Sequence, residues 1–198
     1  MKKTAFAAAL AIAMLGSAQA QNTNSDVPEK QTRFFLQMGF TGGGDKIATI
    51  HYTDGSKGDV TFGSLIQLGA GVDYRINETY SVQASINDHL SSEGADNGSV
   101  RFTRFPLEVL GYYKVSPQWR IGAGARFVMG PNLKSRGAAS GMGNGDFDNT
   151  VGGIVEAEYA FGRNIGLKLR YVAEKYKVSG TSFTSSGNHV GLIGAYYF

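Results

Sequence analysis

Residues 165–171 read Ile-Gly-Leu-Lys-Leu-Arg-Tyr, and their alternation decides the fold. In an extended chain Ile165, Leu167, Leu169 and Tyr171 share one face, while Lys168 and Arg170 share the other. A period of two over this length predicts a β-strand rather than a helix. One face is apolar without interruption and the opposite face is charged. Such a strand either buries its apolar face in a water-soluble core or turns it outward into lipid.

The same period recurs from Arg33 to the end, in segments of roughly ten residues, the length a tilted transmembrane strand needs. Strand one, about 33–42, sets Phe34, Leu36, Met38 and Phe40 against Gln37, Gly39 and Thr41. The second sets Ile66, Leu68, Ala70, Val72 and Tyr74 against Gln67, Gly69, Gly71, Asp73 and Arg75. A third opposes Tyr80, Val82, Ala84 and Ile86 to Ser81, Gln83, Ser85 and Asn87, and reads as a short strand. The fourth opposes Phe105, Leu107, Val109 and Tyr113 to Arg104, Glu108 and Lys114. In the fifth, Trp119, Ile121, Ala123, Ala125 and Phe127 oppose Arg120, Gly122, Gly124 and Arg126. Strand six places Val151, Val155, Ala157, Tyr159 and Phe161 opposite Glu156 and Glu158. The seventh is the opening stretch, continued to Glu174. The eighth places Val190, Leu192, Gly194, Tyr196 and Phe198 opposite His189, Gly191, Ile193 and Tyr197.

Connections alternate in length. Those at 75–79, 115–118 and 161–164 are short; those near 88–99, 131–149 and 177–187 are long and rich in Gly, Ser and Asn. Short turns at one end and long loops at the other are an outer-membrane pattern. An even strand count places both ends of the barrel chain on the periplasmic side.

The amino terminus agrees. Lys2 and Lys3, an apolar run from Ala5 to Leu15 and the small-residue end Ala18-Gln19-Ala20 predict a signal peptide over residues 1–20. Residues 21–32 read as a flexible polar leader and residues 33–198 as the barrel. The whole chain carries 19 basic and 16 acidic residues; losing Lys2 and Lys3 leaves 17 against 16. That near-neutral balance, without a dense Lys/Arg run, argues against a nucleic-acid partner. The sequence holds no cysteine, so neither disulfides nor thiolate chemistry is available.

Two observations choose lipid over a soluble core. Tyr74 and Tyr80 flank the first short turn, Tyr113 and Trp119 the second, and Tyr159 and Phe161 precede the third, with Phe34 and Phe198 at the same height. Collected on the apolar face, these eight rings predict a membrane-interface girdle. The other face carries Asp73, Glu108, Glu156, Glu158 and Glu174 together with Arg75, Arg104, Arg120, Arg126, Lys168 and Arg170. Turning Arg126, Lys168 and Arg170 toward lipid costs about 2–4 kcal/mol each, roughly 6–12 kcal/mol together. These eleven residues therefore form the expected charge network of the lumen. The chain is read as all-β, an eight-stranded antiparallel up-and-down transmembrane β-barrel following a signal peptide.

With its signal peptide, eight amphipathic strands and terminal Tyr196-Tyr197-Phe198, the sequence resembles the small eight-stranded outer-membrane β-barrel family. Outer membrane protein X and the transmembrane domain of outer membrane protein A belong to that family. The resemblance implies a Gram-negative outer-membrane location among lipid and lipopolysaccharide. It also implies recognition of Tyr196 and Phe198 by the barrel-assembly machinery, although Ile193 stands where the family's signal has glycine.

Four features bear on function. Gly69, Gly71, Gly122 and Gly124 leave space for long lumen side chains, so that Arg and Glu satisfy one another and fill a barrel of this size. Residues 46–62 read as a hairpin turning at Asp54-Gly55 and projecting beyond the membrane, with exposed edges that a surface ligand can use. His89-Leu90-Ser91 resembles the His-x-Ser pair of outer-membrane lipid A deacylases, but the following Ser92-Glu93-Gly94-Ala95 departs from their pattern. Asn144-Gly145-Asp146-Phe147-Asp148 spaces oxygens alternately yet lacks the glycine and closing glutamate of a calcium loop. Neither cofactor nor metal is implied. The leading expectation is a non-enzymatic, monomeric barrel with a structural or surface-interaction role; a narrow porin-like channel and a lipid-modifying enzyme are the alternatives.

Overall fold

The computed structural model describes residues 30–51, 57–63, 65–95, 98–137 and 144–198. The expected signal peptide, most of the leader and the Asp54-Gly55 turn lie outside these residues. The strands are β1 (Thr32–Gly43), β2 (Lys46–His51), β3 (Lys57–Thr61), β4 (Leu65–Arg75), β5 (Tyr80–Ala95), β6 (Gly98–Lys114), β7 (Trp119–Gly137), β8 (Gly145–Asp146), β9 (Thr150–Phe161), β10 (Ile165–Ala173), β11 (Lys175–Lys177), β12 (Thr184–Ser186) and β13 (His189–Tyr197).

Eight of them, β1, β4, β5, β6, β7, β9, β10 and β13, each pair antiparallel with their neighbours, and β13 returns to β1. The sheet is a closed barrel. Closure leaves no backbone edge facing lipid, which a membrane interior demands. The short turns are set by local chemistry. Asn77 Oδ1 accepts the backbone N–H groups of Thr79 at 2.9 Å and Tyr80 at 2.8 Å. Ser116 Oγ accepts that of Trp119 at 3.1 Å. Gly162 turns the third connection with a φ of 71°.

Alternation sets the two faces. Leu169 is 61% exposed and Val151 68%, whereas Lys168 and Arg170, one residue either side of Leu169, are buried. The eight girdle positions lie on the outer face near the short turns. Tyr80 pairs with Tyr113 and Trp119 with Tyr159 in register, and Phe198 donates its backbone N–H to Phe34. Trp119, Tyr159 and Phe161 pack in series, with ring centroids 5.0 and 4.7 Å apart.

The far end differs from the sequence expectation. The third strand is not short: β5 runs 16 residues, to Ala95. Most of the expected loop at 88–99 is the paired extension of β5 and β6, and β7 continues through residues 131–137. Within 177–187, β12 pairs with β11. Nor does the 46–62 hairpin stand free. β2 and β3 pair with each other, but Val60 and Phe62 are buried. The hairpin has an apolar side, and removing that side from water folds it against the extensions of β6 and β7.

Candidate functional site

Inside the barrel the charged side chains form one chain of alternating sign. Arg33 meets Asp73 at 2.6 Å, and Arg120 bridges Asp73 at 3.0 Å to Glu158 at 2.8 Å. Lys168 lies 3.9 Å from Glu158 and 3.3 Å from Glu156. Arg170 bridges Glu156 at 2.5 Å to Glu108 at 2.9 Å. Arg126 continues from Glu108 at 3.4 Å to Glu174 at 3.2 Å, and Arg104 ends the series 4.0 Å from Glu174.

Register explains half of these links. Arg33–Asp73, Glu108–Arg126, Arg120–Glu158, Lys168–Glu158 and Arg170–Glu156 are direct cross-strand partners. Others span the lumen between strands that do not touch in the sheet. Arg120 on β7 reaches Asp73 on β4, and Arg170 on β10 reaches Glu108 on β6. Buried charges persist only when so paired.

Neutral groups fill the spaces. Tyr112 donates to Glu156, Tyr197 donates to Glu158 at 2.8 Å, and Lys168 donates to Gln83 at 2.9 Å. The rings need room at the wall. A Cβ on Gly122 would stand 2.6 Å from the Tyr112 ring, and one on Gly71 would stand 2.6 Å from the Phe35 ring. Arg75 is half-buried on the inner face near the short turns. Arg33 belongs to the series although the sequence reading passed over it. Its odd-numbered position, in phase with Phe35 and Gln37, was the available signal.

Toward the long-loop end two histidines join. Arg104 and Arg126 each donate to Nδ1 of His89, at 2.9 and 3.0 Å, so that nitrogen is an acceptor. Its Nε2 lies 2.8 Å from Thr41 Oγ1 and 3.1 Å from a guanidinium nitrogen of Arg104. His189 donates from Nδ1 to the Gly187 carbonyl at 2.7 Å, leaving Nε2 to accept from Arg126 at 3.4 Å. Ser91 is fully buried, and among the described residues its hydroxyl has no hydrogen-bond partner. The His-x-Ser pair thus makes no nucleophile–base contact and faces away from lipid.

Above the charges lies an apolar cap. Phe62, Phe102, Val128 and Tyr176 are buried together, with Ile47, Leu133 and Phe147 against them. Phe62 stacks on Tyr176 at 5.4 Å and meets Phe102 edge-on at 5.1 Å. Val60 and Val100 extend the cluster. Tyr176 joins the two layers by donating to Glu174 at 2.7 Å, and burial pushes its hydroxyl pKa upward, so it stays a donor. Asn144, Asp146 and Asp148 use their side-chain oxygens within this crown. Asn144 accepts from the Ser135 N–H, Asp146 from Asn132, and Asp148 from Ser179.

A family model described as the outer membrane protein beta-barrel domain matches residues 6–193. Among solved structures, Neisserial surface protein A is 12% identical, with 85% of this chain and 98% of that one covered at a TM-score of 0.52. Ail, the attachment invasion locus protein of Yersinia pestis, solved with the heparin analogue sucrose octasulfate, is 11% identical. It covers 85% of this chain and 100% of its own, at a TM-score of 0.49. OprG from Pseudomonas aeruginosa is 13% identical over 86% and 97% of the two chains, at 0.42. No curated protein matches the sequence.

Proposed function

The chain belongs to the outer membrane protein β-barrel domain family and resides in the Gram-negative outer membrane, and from that premise we propose that it is a sealed, non-enzymatic barrel serving the envelope surface. One observation carries this reading: the alternating ion-pair chain from Arg33 to Arg104 occupies the lumen, and the Phe62–Phe102–Tyr176 cluster closes its outer end. A water path needs room between such groups, and here they engage each other. The interface rings, Phe34, Tyr74, Tyr80, Tyr113, Trp119, Tyr159, Phe161 and Phe198, hold the periplasmic rim in the headgroup layer.

The crown is the part that meets the outside. We assign contact with a surface ligand to the 46–62 hairpin, whose Lys46 and Asp59 are exposed while Val60 faces inward. In this reading the barrel works as a monomer, delivered by assembly machinery that reads Tyr196 and Phe198.

The test is one reconstituted sample measured twice. In a planar bilayer the folded protein gives no stable conductance steps, and incubation with lipid A leaves the lipid's mass unchanged. Reproducible channel steps overturn the sealed lumen; a deacylated product overturns the non-enzymatic reading.

A further inference from the structure

The polarity of the wall reverses within β6 and β7. On β6, Phe105, Leu107, Val109 and Tyr113 face outward and are exposed. Above them the same outward face carries Thr103, Arg101 and Ser99, while Val100 and Phe102 are buried inside. On β7 the outward face changes from Phe127 and Met129 to Asn132, Lys134 and Arg136. Tyr113 to Phe105 spans about 27 Å of strand, or about 21 Å of height at a tilt of about 40°. Tyr113 to Arg101 spans about 40 Å, or about 31 Å of height. An apolar band about 25 Å tall therefore ends between Phe105 and Arg101.

Three cations meet just above that edge. Arg101 and Lys134 are direct cross-strand partners, and Arg136 stands on the same face two residues beyond Lys134. Like charges placed directly opposite in a sheet repel. Across its other side Arg101 faces Ser92, and Arg136 faces Ser99. Arg101, Lys134 and Arg136 are all exposed, and among the described residues none of them has an ion pair. Elsewhere in the crown lysines do have carboxylates: Lys46 meets Asp59 at 2.7 Å, and Lys177 lies 3.8 Å from Asp148. Among the described residues no carboxylate compensates the basic trio, which stands at the height of outer-leaflet headgroups.

We propose that Arg101, Lys134 and Arg136 form a binding site for the phosphate groups of lipopolysaccharide in the surrounding outer leaflet. A phosphate accepts several charge-assisted bonds at once and converts the repelling pair into a bridged one. The apolar belt below, with Phe105, Leu107 and Phe127 exposed, receives the acyl chains of the same molecule. Phosphate and acyl chains are thus met at one place on the wall, in the order a lipid A molecule presents them. This inference rests on the outer-membrane reading, and the experiment separates the two.

The full chain is folded into phosphatidylcholine nanodiscs containing lipid A with both phosphates or lipid A stripped of them, and lipid retained after detergent exchange is measured by mass spectrometry. The native protein retains the phosphorylated form about tenfold better, even in EDTA, because side-chain charge rather than a divalent cation holds it. The triple variant Arg101→Gln, Lys134→Gln, Arg136→Gln loses that preference but keeps the heat-modifiable mobility of a folded barrel. Lys134→Arg keeps the preference. Equal retention of both lipids by the native protein overturns the site, as does an undiminished preference in the triple variant. Displacement of lipid A by a soluble sulfated polysaccharide also overturns it, in favour of a soluble polyanion. Failure of both native and variant chains to insert would instead refute the barrel reading.

Discussion

The midsection of the barrel and its crown are walls of the same strands, yet they are held in opposite ways. In the midsection the apolar side faces out and Arg, Lys, Glu and Asp face in. In the crown Val60, Phe62, Val100 and Phe102 face in, and Arg101, Lys134 and Arg136 face out. The solvent outside decides which. Lipid takes the apolar face and leaves polar groups to satisfy one another within. Water takes the polar face and drives the apolar one together. The lower closure is electrostatic and specific in geometry; the upper closure is hydrophobic and follows area.

If the two closures differ in kind, their failures differ in size and reach. Glu108 bridges Arg170 and Arg126 at full burial, so Glu108→Ala leaves two buried cations short of a partner. We expect a loss of about 3–5 kcal/mol, read by urea unfolding in lipid with Trp119 fluorescence. In the crown, Phe62→Ala removes the ring shared by Phe102, Phe147 and Tyr176. A cost of about 3 kcal/mol is expected there, confined to the cap, so backbone amides at 57–61 exchange faster while those of β9 and β10 do not. A global loss of protection would show that the crown and midsection are one unit.

Gly122→Ala probes the fit of the lumen wall against Tyr112. The ring has to shift from its bond with Glu156, and about 1–3 kcal/mol should be lost in the same unfolding assay. The smallest effect belongs to the exposed pair Lys46–Asp59. A double-mutant cycle on it should give less than about 1 kcal/mol, falling further with added salt. A larger coupling there would mean that water does not reach the crown as its exposure indicates.

The same reversal explains what could be read from the sequence. Wherever an outward apolar residue alternates with an inward polar one, as in Ile165–Tyr171, the strand and its faces are legible. On β6 the alternation never stops, but the apolar residues change phase between Thr103 and Phe105, where the pairing with β7 also shifts register. A reading that follows apolar residues loses the strand at that point and reports a loop. Ser91, Ser92 and Gly94 on β5 look like loop residues for the same reason, although they pair with Phe102, Arg101 and Ser99. Which charges share an inner face follows from parity. The partner each one takes across the lumen, such as Asp73 with Arg120, depends on closure and strand stagger, and a linear pattern does not contain either.

The links that cross the lumen also bear on assembly. Asp73–Arg120 joins β4 to β7, and Glu108–Arg170 joins β6 to β10, strands that are never sheet neighbours. An open sheet with every neighbouring strand correctly paired still lacks both. A slip of two residues keeps the inside–outside alternation intact yet brings the wrong charges together. The alternating chain therefore acts as a checksum on the finished cylinder: it is complete only when all eight strands have arrived in one register. Contacts so distant along the chain form late, and closing the ring is the step they reward.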